Sequence, residues 1–112
     1  MTDYSQMKCE VCRVGAPLTT ADEVESFLKQ HSQWEKLVVD GEDRIQCKFQ
    51  FKDFEQALAF TNQVGALAEE EGHHPALLTE WGRVTVGWWT HKIHGLHVND
   101  FIMASKTDAL AG

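Results

Sequence analysis

The clearest periodic pattern in the chain is a strict alternation of apolar and polar residues near its middle. Apolar side chains occupy every second position at Ile45, Cys47, Phe49 and Phe51, and the positions between them are polar or charged. Neighbouring side chains of a strand point to opposite faces of its sheet. The alternation therefore predicts a strand with one covered face, as in an antiparallel sheet.

Three other segments show apolar residues at helical spacing together with recognisable helix ends. The helices are predicted over residues 21–30, from about 54 to 71, and 98–110. Thr20 and Glu23 have the spacing of a capping box at the first start, and Asp53 caps the second. The second helix carries a wide apolar stripe, as a helix packed on a sheet requires, and it ends before Gly72.

The remaining periodic segments read as three more strands, which completes the predicted fold. These strands are expected over residues 34–40, 77–81 and 83–91, with turns at 41–43 and at Gly82. The order α-β-β-α-β-β-α contains hairpins and no parallel crossover. It predicts an α+β fold, a four-stranded antiparallel sheet covered on one face by helices. The domain is expected over residues 19–112, after an extended N-terminal arm over 1–18.

Composition narrows the class of partner. The chain has 112 residues, 43% of them hydrophobic, and a formal net charge of −7. That charge argues against general binding to nucleic acid, and the scattered basic residues argue against an acidic membrane surface. No apolar run approaches the length of about 18 to 20 residues that spans a bilayer, and the first residues do not read as a signal peptide. A cytoplasmic location is expected.

The three cysteines give only a weak signal. Cys9 and Cys12 form one C-x-x-C in the predicted arm, and Cys47 stands alone in a predicted strand. A zinc ribbon would need a second such pair, and a thioredoxin-like site would place the pair between a strand and a helix. A structural or incidental role is favoured, with metal or redox chemistry as the alternative.

Five of the six histidines fall between positions 73 and 97. His73 and His74 follow the long helix, and His91 ends a strand predicted to pair with the strand after the histidine pair. A hairpin returns the chain to the same edge of the sheet, so these three side chains should approach one another. Histidine is well suited to moving protons near neutral pH.

Three interpretations of this cluster stay open on spacing alone. The histidines could be surface or capping residues. His91, His94 and His97 could instead bind a metal together with the pair at 73 and 74, although Gly95 makes a shared helical face doubtful. In the third interpretation, His73, His74 and His91 are acid-base groups in a metal-free pocket.

The stretch EEEGHHPALLTEWGRVTVGWWTHKIHGLHVND resembles the signature of the pterin-4a-carbinolamine dehydratase family. Seven positions over some thirty residues are in register, namely Glu69, His73, His74, Pro75, Trp81, His91 and Asp100. The resemblance extends back to Trp34, and the C-x-x-C arm is similar to that of bacterial members. Gly72 stands where animal members carry an Asp, so any orienting role of that carboxylate must be met otherwise here. His94 and His97 lie outside the family pattern and are expected at the surface.

The resemblance implies an enzyme, 4a-hydroxytetrahydrobiopterin dehydratase, that needs no cofactor or metal and treats the pterin as its substrate. It implies catalytic roles for His73, His74 and His91. The implied substrate-binding residues are Glu69, His73, His74, Pro75, Trp81, Thr90, His91, Lys92, Ile93 and Asp100. A homodimer or tetramer formed by sheet pairing is expected, with a functional link to phenylalanine hydroxylase. The alternatives are a protein-binding dimerisation or coactivator module, which animal members also provide, and a histidine-cluster metal-binding domain.

The other site residues have simpler interpretations beside these. Asp100 is expected to start the last helix or to orient a histidine rather than to act directly. Trp81 reads as a half-buried strand aromatic and Trp88 as a core residue. Trp89 falls on the opposite face of its strand, where it would line the site or an interface. Glu69 would support a histidine, meet the polar edge of the ring or simply end the helix.

Overall fold

A computed structural model describes Tyr4 and residues 18–112 of the chain. The elements run in the order α1 (Ala21–Gln30), β1 (Glu35–Val39), β2 (Glu42–Gln50), α2 (Phe54–Glu71), β3 (Ala76–Glu80), β4 (Arg83–Trp88) and α3 (Val98–Ala111), with one 3₁₀ turn at His91–Ile93 before α3. The predicted α+β class and element order are confirmed. The predicted arm, with Cys9 and Cys12, lies outside the described residues except for Tyr4 and Leu18.

The four strands form one antiparallel sheet in the order β1-β2-β4-β3. In the centre of the sheet, Ile45 lies opposite Trp88, Cys47 opposite Val86 and Phe49 opposite Val84. All six side chains are buried beneath the helices. The predicted strand with one covered face is therefore confirmed in β2, because its apolar side faces the helices and its polar side faces away from them.

The β1–β2 turn is tighter than the sequence pattern suggested. Val39 pairs with Glu42, so the turn consists of Asp40 and Gly41 alone, and the predicted turn at 41–43 was wrong. Both turn residues have positive φ, 52° for Asp40 and 80° for Gly41. This is the conformation of a two-residue hairpin turn whose twist matches that of the flanking strands.

The β3–β4 hairpin also differs at its ends from the expectation. β4 ends at Trp88 rather than near His91, because Thr90 forms an isolated bridge with Gly95 and the chain between them closes into a short loop. Trp81 lies in the turn beyond β3 and is 70% exposed, so it is not a half-buried strand residue. Trp88 is fully buried, as predicted.

Stacked rings join the first and last helices. The Phe27 ring stacks on Phe101 with centroids 4.4 Å apart, and His31 stacks on Phe27 at the same spacing. His31 Nδ1 also lies 3.3 Å from Asp108 Oδ2, and Trp34 donates from Nε1 to the same carboxylate. His31, the one histidine outside residues 73–97, thus links the end of α1 to α3.

The Cys47 side chain points from β2 into the hydrophobic core between the sheet and the helices. Burial is the main cause that raises the pKa of its thiol to about 11, with the Asp108 and Glu35 carboxylates adding to the effect. Thiolate is the reactive form of cysteine, so burial makes Cys47 unreactive near neutral pH. Among the described helices, none combines the length and apolar character needed to cross a bilayer.

The long helix α2 ends at a glycine in the left-handed conformation. Gly72 has a φ of 67°, and its backbone N–H donates to the carbonyl of Ala68. A side chain at this φ is strained even though open space surrounds it. The end of α2 therefore depends on glycine, and the chain turns there directly into His73.

We expect Gly72→Ala to lower the free energy of unfolding by about 1 kcal/mol because alanine disfavours the left-handed conformation. Gly65→Ala is the matched control, since Gly65 lies inside α2 with open space around its Cα and no positive φ. That change should raise the free energy of unfolding by about 0.5 to 1 kcal/mol through helix propensity. Urea unfolding measures both values, and equal signs would contradict the assignment.

Candidate active site

A small cavity lies where α2, the end of β4 and the following loop meet. It has a volume of about 150 Å³ and is lined by Gly72, His73, His74, Thr90, His91 and Lys92. β3 and β4 are antiparallel neighbours, so the start of β3 and the end of β4 share one end of the sheet. This topology brings the histidine pair after α2 next to His91, as the hairpin argument predicted.

The buried carboxylate of Asp100 is the hydrogen-bonding centre of this region. Its Oδ1 lies 2.7 Å from Nε2 of His73. Its Oδ2 accepts from the Thr90 hydroxyl and from the backbone N–H of His97, both at 2.9 Å. Asp100 is fully buried and lies in the first turn of α3. Asp100 therefore lies at the start of α3 and also contacts the ring of His73, which are the two arrangements that the sequence suggested.

His73 is held rigidly by these contacts. It is almost fully buried, and its ring lies nearly parallel to the indole of Trp88, with centroids 5.7 Å apart and an interplanar angle of 11°. A carboxylate oxygen only accepts hydrogen bonds, so His73 donates from Nε2 to Asp100. In the neutral ring this places the lone pair on Nδ1.

His74 is paired with a second carboxylate, but at the surface. Its Nε2 lies 2.9 Å from Oε1 of Glu69, and both side chains are largely exposed. Glu69 lies in the last turn of α2, so the pair spans the helix end. Salt screens an exposed pair of this kind, and its contribution to stability is small. The pairing matches the expectation that Glu69 supports a histidine.

His91 has different surroundings from the other two histidines. It is the exposed first residue of the 3₁₀ turn, and its ring contacts the indole of Trp89 with centroids 4.4 Å apart. Trp89 is buried. The cavity is therefore lined by one buried histidine that bonds a carboxylate and by one exposed histidine that contacts an aromatic ring.

The remaining residues suggested by the resemblance lie around or away from this cavity. Thr90 and Lys92 line it, Pro75 directly follows His74, and Ile93 is the third residue of the 3₁₀ turn. Trp81 lies in the turn at the opposite end of β3 from the histidine pair. The cavity formed by the described residues therefore contains no contribution from Trp81.

The histidines at 91, 94 and 97 do not share a face. His94 pairs with Glu42 at 3.0 Å, whereas His97 caps α3 by accepting from the N–H of Asn99. His97 is buried, so its expected surface position was wrong. Within residues 18–112 and Tyr4, no three His, Cys, Asp or Glu side chains form a group that could hold a metal ion.

Sequence reasoning missed two contributors to the site. Gly72 lines the cavity because its left-handed backbone turns the chain at that point. The His97 backbone shares the Asp100 carboxylate through a capping box in which histidine takes the place usually held by serine or threonine. The three-residue spacing from His97 to Asp100 was the available signal.

Comparisons with known proteins identify the family. The family model described as pterin 4 alpha carbinolamine dehydratase matches residues 17–110. A relative in Syntrophotalea carbinolica, provisionally named a pterin-4-alpha-carbinolamine dehydratase, is 59% identical over 110 residues and covers 98% of each chain. A relative in Marinobacter nauticus with the same provisional name is 56% identical and covers 98% of this chain and 99% of its own.

Two solved structures share the fold. The crystal structure of a transcriptional coactivator/pterin dehydratase from Brucella melitensis has a TM-score of 0.77 at 35% identity and covers 86% of this chain and 100% of that one. A pterin dehydratase-like protein described as a RuBisCO assembly factor of the alpha-carboxysome has a TM-score of 0.61 at 26% identity, over 73% and 93% of the two chains. By the near full-length match and these identities, the chain belongs to the pterin 4 alpha carbinolamine dehydratase family.

Proposed function

We propose that this protein dehydrates 4a-hydroxytetrahydrobiopterin, or a closely related pterin carbinolamine, to the quinonoid dihydropterin and water. The observation that supports the proposal best is the convergence of His73, His74 and His91 on one cavity. His73 and His74 are adjacent in the sequence and His91 comes from a separate segment, yet all three residues line the same space. Family membership supports the same reaction.

The proposed reaction is an elimination of water and needs no electron transfer. The C–O bond at the 4a carbon breaks, the leaving hydroxide takes up a proton, and N5 loses its proton as the C=N bond forms. Hydroxide is a poor leaving group, so a positioned acid is the main requirement. A well-placed proton donor or acceptor contributes about 10² to 10⁴-fold in rate. The proposal therefore includes no cofactor and no metal ion.

The geometry suggests a division of work among the histidines. We assign the proton transfers at the hydroxyl to His73 and His91, which both line the cavity. His74 would position the flat ring and exchange the N5 proton, since it is exposed and paired with Glu69. Asp100 would act through His73, because it is fully buried and bonded to that ring rather than lining the cavity.

The metabolic setting is part of the proposal. The carbinolamine arises when an aromatic amino acid hydroxylase uses a tetrahydropterin and oxygen, so we propose a functional link to phenylalanine hydroxylase. A cytoplasmic location belongs to the same proposal. The buried free thiol of Cys47 is consistent with it, since free thiols are typical of reducing compartments.

A binding role is the alternative from another class. One relative of known structure is described as a coactivator as well as a dehydratase, and another as an assembly factor. Such adaptors have no need of three imidazoles around a cavity. The Asp100 network favours catalysis here, because it fixes one ring in a single orientation at the cost of burying a carboxylate.

We also propose a homo-oligomer formed through the free edge of the sheet at β3. The strand order leaves β1 and β3 as edges, and unpaired edges need cover. Several large apolar side chains are exposed on β3, in the turn after it and along α2. They are Leu78, Trp81, Phe54 and Leu58.

Replacing His91 with Ala should slow carbinolamine breakdown at least tenfold if His91 moves a proton. The assay follows ultraviolet absorbance in a coupled hydroxylase reaction. His94→Asn is the matched control, because His94 is in the same loop but pairs with Glu42, and asparagine tolerates its φ of 55°. A near wild-type rate for the His91 variant would remove this residue from the mechanism.

Asp100→Asn should preserve the fold yet lower kcat at least tenfold. The amide oxygen can accept from Thr90 and His97, which leaves the amide N–H facing Nε2 of His73. Two donors cannot share one hydrogen bond, so His73 would have to adopt the other tautomer and move its lone pair to Nε2. Nitrogen-15 NMR of the imidazole reports the tautomer, and an unchanged tautomer with unchanged kcat would contradict the role of Asp100.

Leu78→Lys should reduce the oligomer to a monomer of 12.7 kDa, because a charge on an edge strand opposes pairing with another strand. Val38→Lys on β1, the other edge, is the control, since the two side chains are 57% and 59% exposed. Sedimentation velocity measures the masses. A monomeric wild-type protein, or an oligomer unaffected by the Leu78 change, would argue against the β3 interface.

A further inference from the structure

Arg44 forms an unusual contact on the sheet face that the helices leave open. It precedes Ile45, which pairs with Trp88, so Arg44 lies across from Trp89, the residue that directly follows β4. Its guanidinium carbon lies 3.7 Å from the centroid of the Trp89 ring. The guanidinium therefore covers one face of the Trp89 indole, and this side chain is buried.

The Trp89 indole lies beside Arg44 where a carboxylate would usually lie beside an arginine. The Nε of Arg44 is buried, and among the described residues it has no hydrogen-bond acceptor. Burial of a polar group without a partner is unfavourable. A flat guanidinium on a Trp face is attractive, more so when desolvated, and this attraction offsets part of the cost.

The same indole supports His91. The centroids of the Trp89 and His91 rings are 4.4 Å apart, with an interplanar angle of 51°. His73 and His74 are each oriented by a carboxylate, at 2.7 Å and 2.9 Å respectively. For His91 the described residues provide an indole in that position, and Arg44 holds this indole in place.

His91 lies on a short loop. The loop is closed by the bridge between Thr90 and Gly95, and the 3₁₀ turn within it is only three residues long. His91 itself is exposed. A ring on a short exposed loop samples several rotamers unless something packs against it, so its useful orientation depends on the Trp89 contact.

We propose that Arg44 is a positioning residue for the dehydration, acting on His91 through Trp89. The contacts from guanidinium to indole and from indole to the tilted imidazole lead from the open sheet face to the cavity, where His91 would meet the substrate. This inference rests on the proposed function for its kinetic consequence. Its structural part, the dependence of the His91 orientation on Arg44, stands without that function.

The kinetic test is Arg44→Met, which keeps an unbranched apolar stem and removes the flat, charged guanidinium group. We expect kcat to fall about five- to thirtyfold, the factor that corresponds to the loss of a partly desolvated cation–π contact. KM should stay within twofold, because Arg44 does not line the cavity. Lys48→Met, a loss of one positive charge on the same face of β2, should leave both constants unchanged.

Arg44→Lys separates the cation from packing alone. Lysine keeps the charge without the flat stacking surface, so its kcat should be at least threefold above that of the methionine variant. Equal rates for the two variants would overturn the role of the cation. A methionine variant with wild-type kcat, or with a raised KM and unchanged kcat, would overturn the positioning role.

Proton NMR of the His91 ring gives a readout that needs no activity. The indole at 4.4 Å shifts the His91 ring protons by its ring current, and this shift should shrink in the Arg44→Met protein while amide spectra show an intact fold. An unchanged shift would overturn the inference. If the wild-type protein shows no dehydratase activity but the shift behaves as expected, the proposed function fails and the positioning of His91 stands.

Discussion

The buried carboxylate of Asp100 is the constraint on which the rest of the site depends. A charge removed from water must be fully hydrogen-bonded, and this one recruits a donor from each of three segments. His73 comes from the turn after α2, Thr90 from the end of β4, and the His97 backbone from the start of α3. The hydrogen bonds to this one carboxylate therefore hold three segments of the chain together, and the cavity lies where these segments meet.

Much of the fold followed from local patterns because those patterns are repeated consistently along each element. The alternation from Ile45 onward fixed which face of β2 is buried, and the Thr20 and Asp53 caps located two helix starts. The turn at Asp40 and Gly41 could not be placed in this way. Its position depends on two positive φ angles and the pairing register, which hydropathy does not encode.

The site was predictable to the extent that topology brings sequence signals together. Adjacent histidines after a helix and a histidine after a paired strand had to share one end of the sheet. Arg44 could not be recognised, because from the sequence it is one more polar residue on the outer side of β2. Only the strand register places it beside Trp89, and only coordinates show the guanidinium on the ring. His97 was missed because histidine rarely replaces a hydroxyl side chain as a helix cap.

The bridge between Thr90 and Gly95 constrains the backbone of the segment between them more than it constrains the side chains of that segment. It fixes the length of the intervening segment, while most of the side chains within that segment point to solvent. A substitution at His94, which is exposed and pairs with Glu42, therefore leaves the hydrogen bonds of Asp100 in place. Related proteins can therefore vary this exposed position while they keep the buried hydrogen bonds around Asp100.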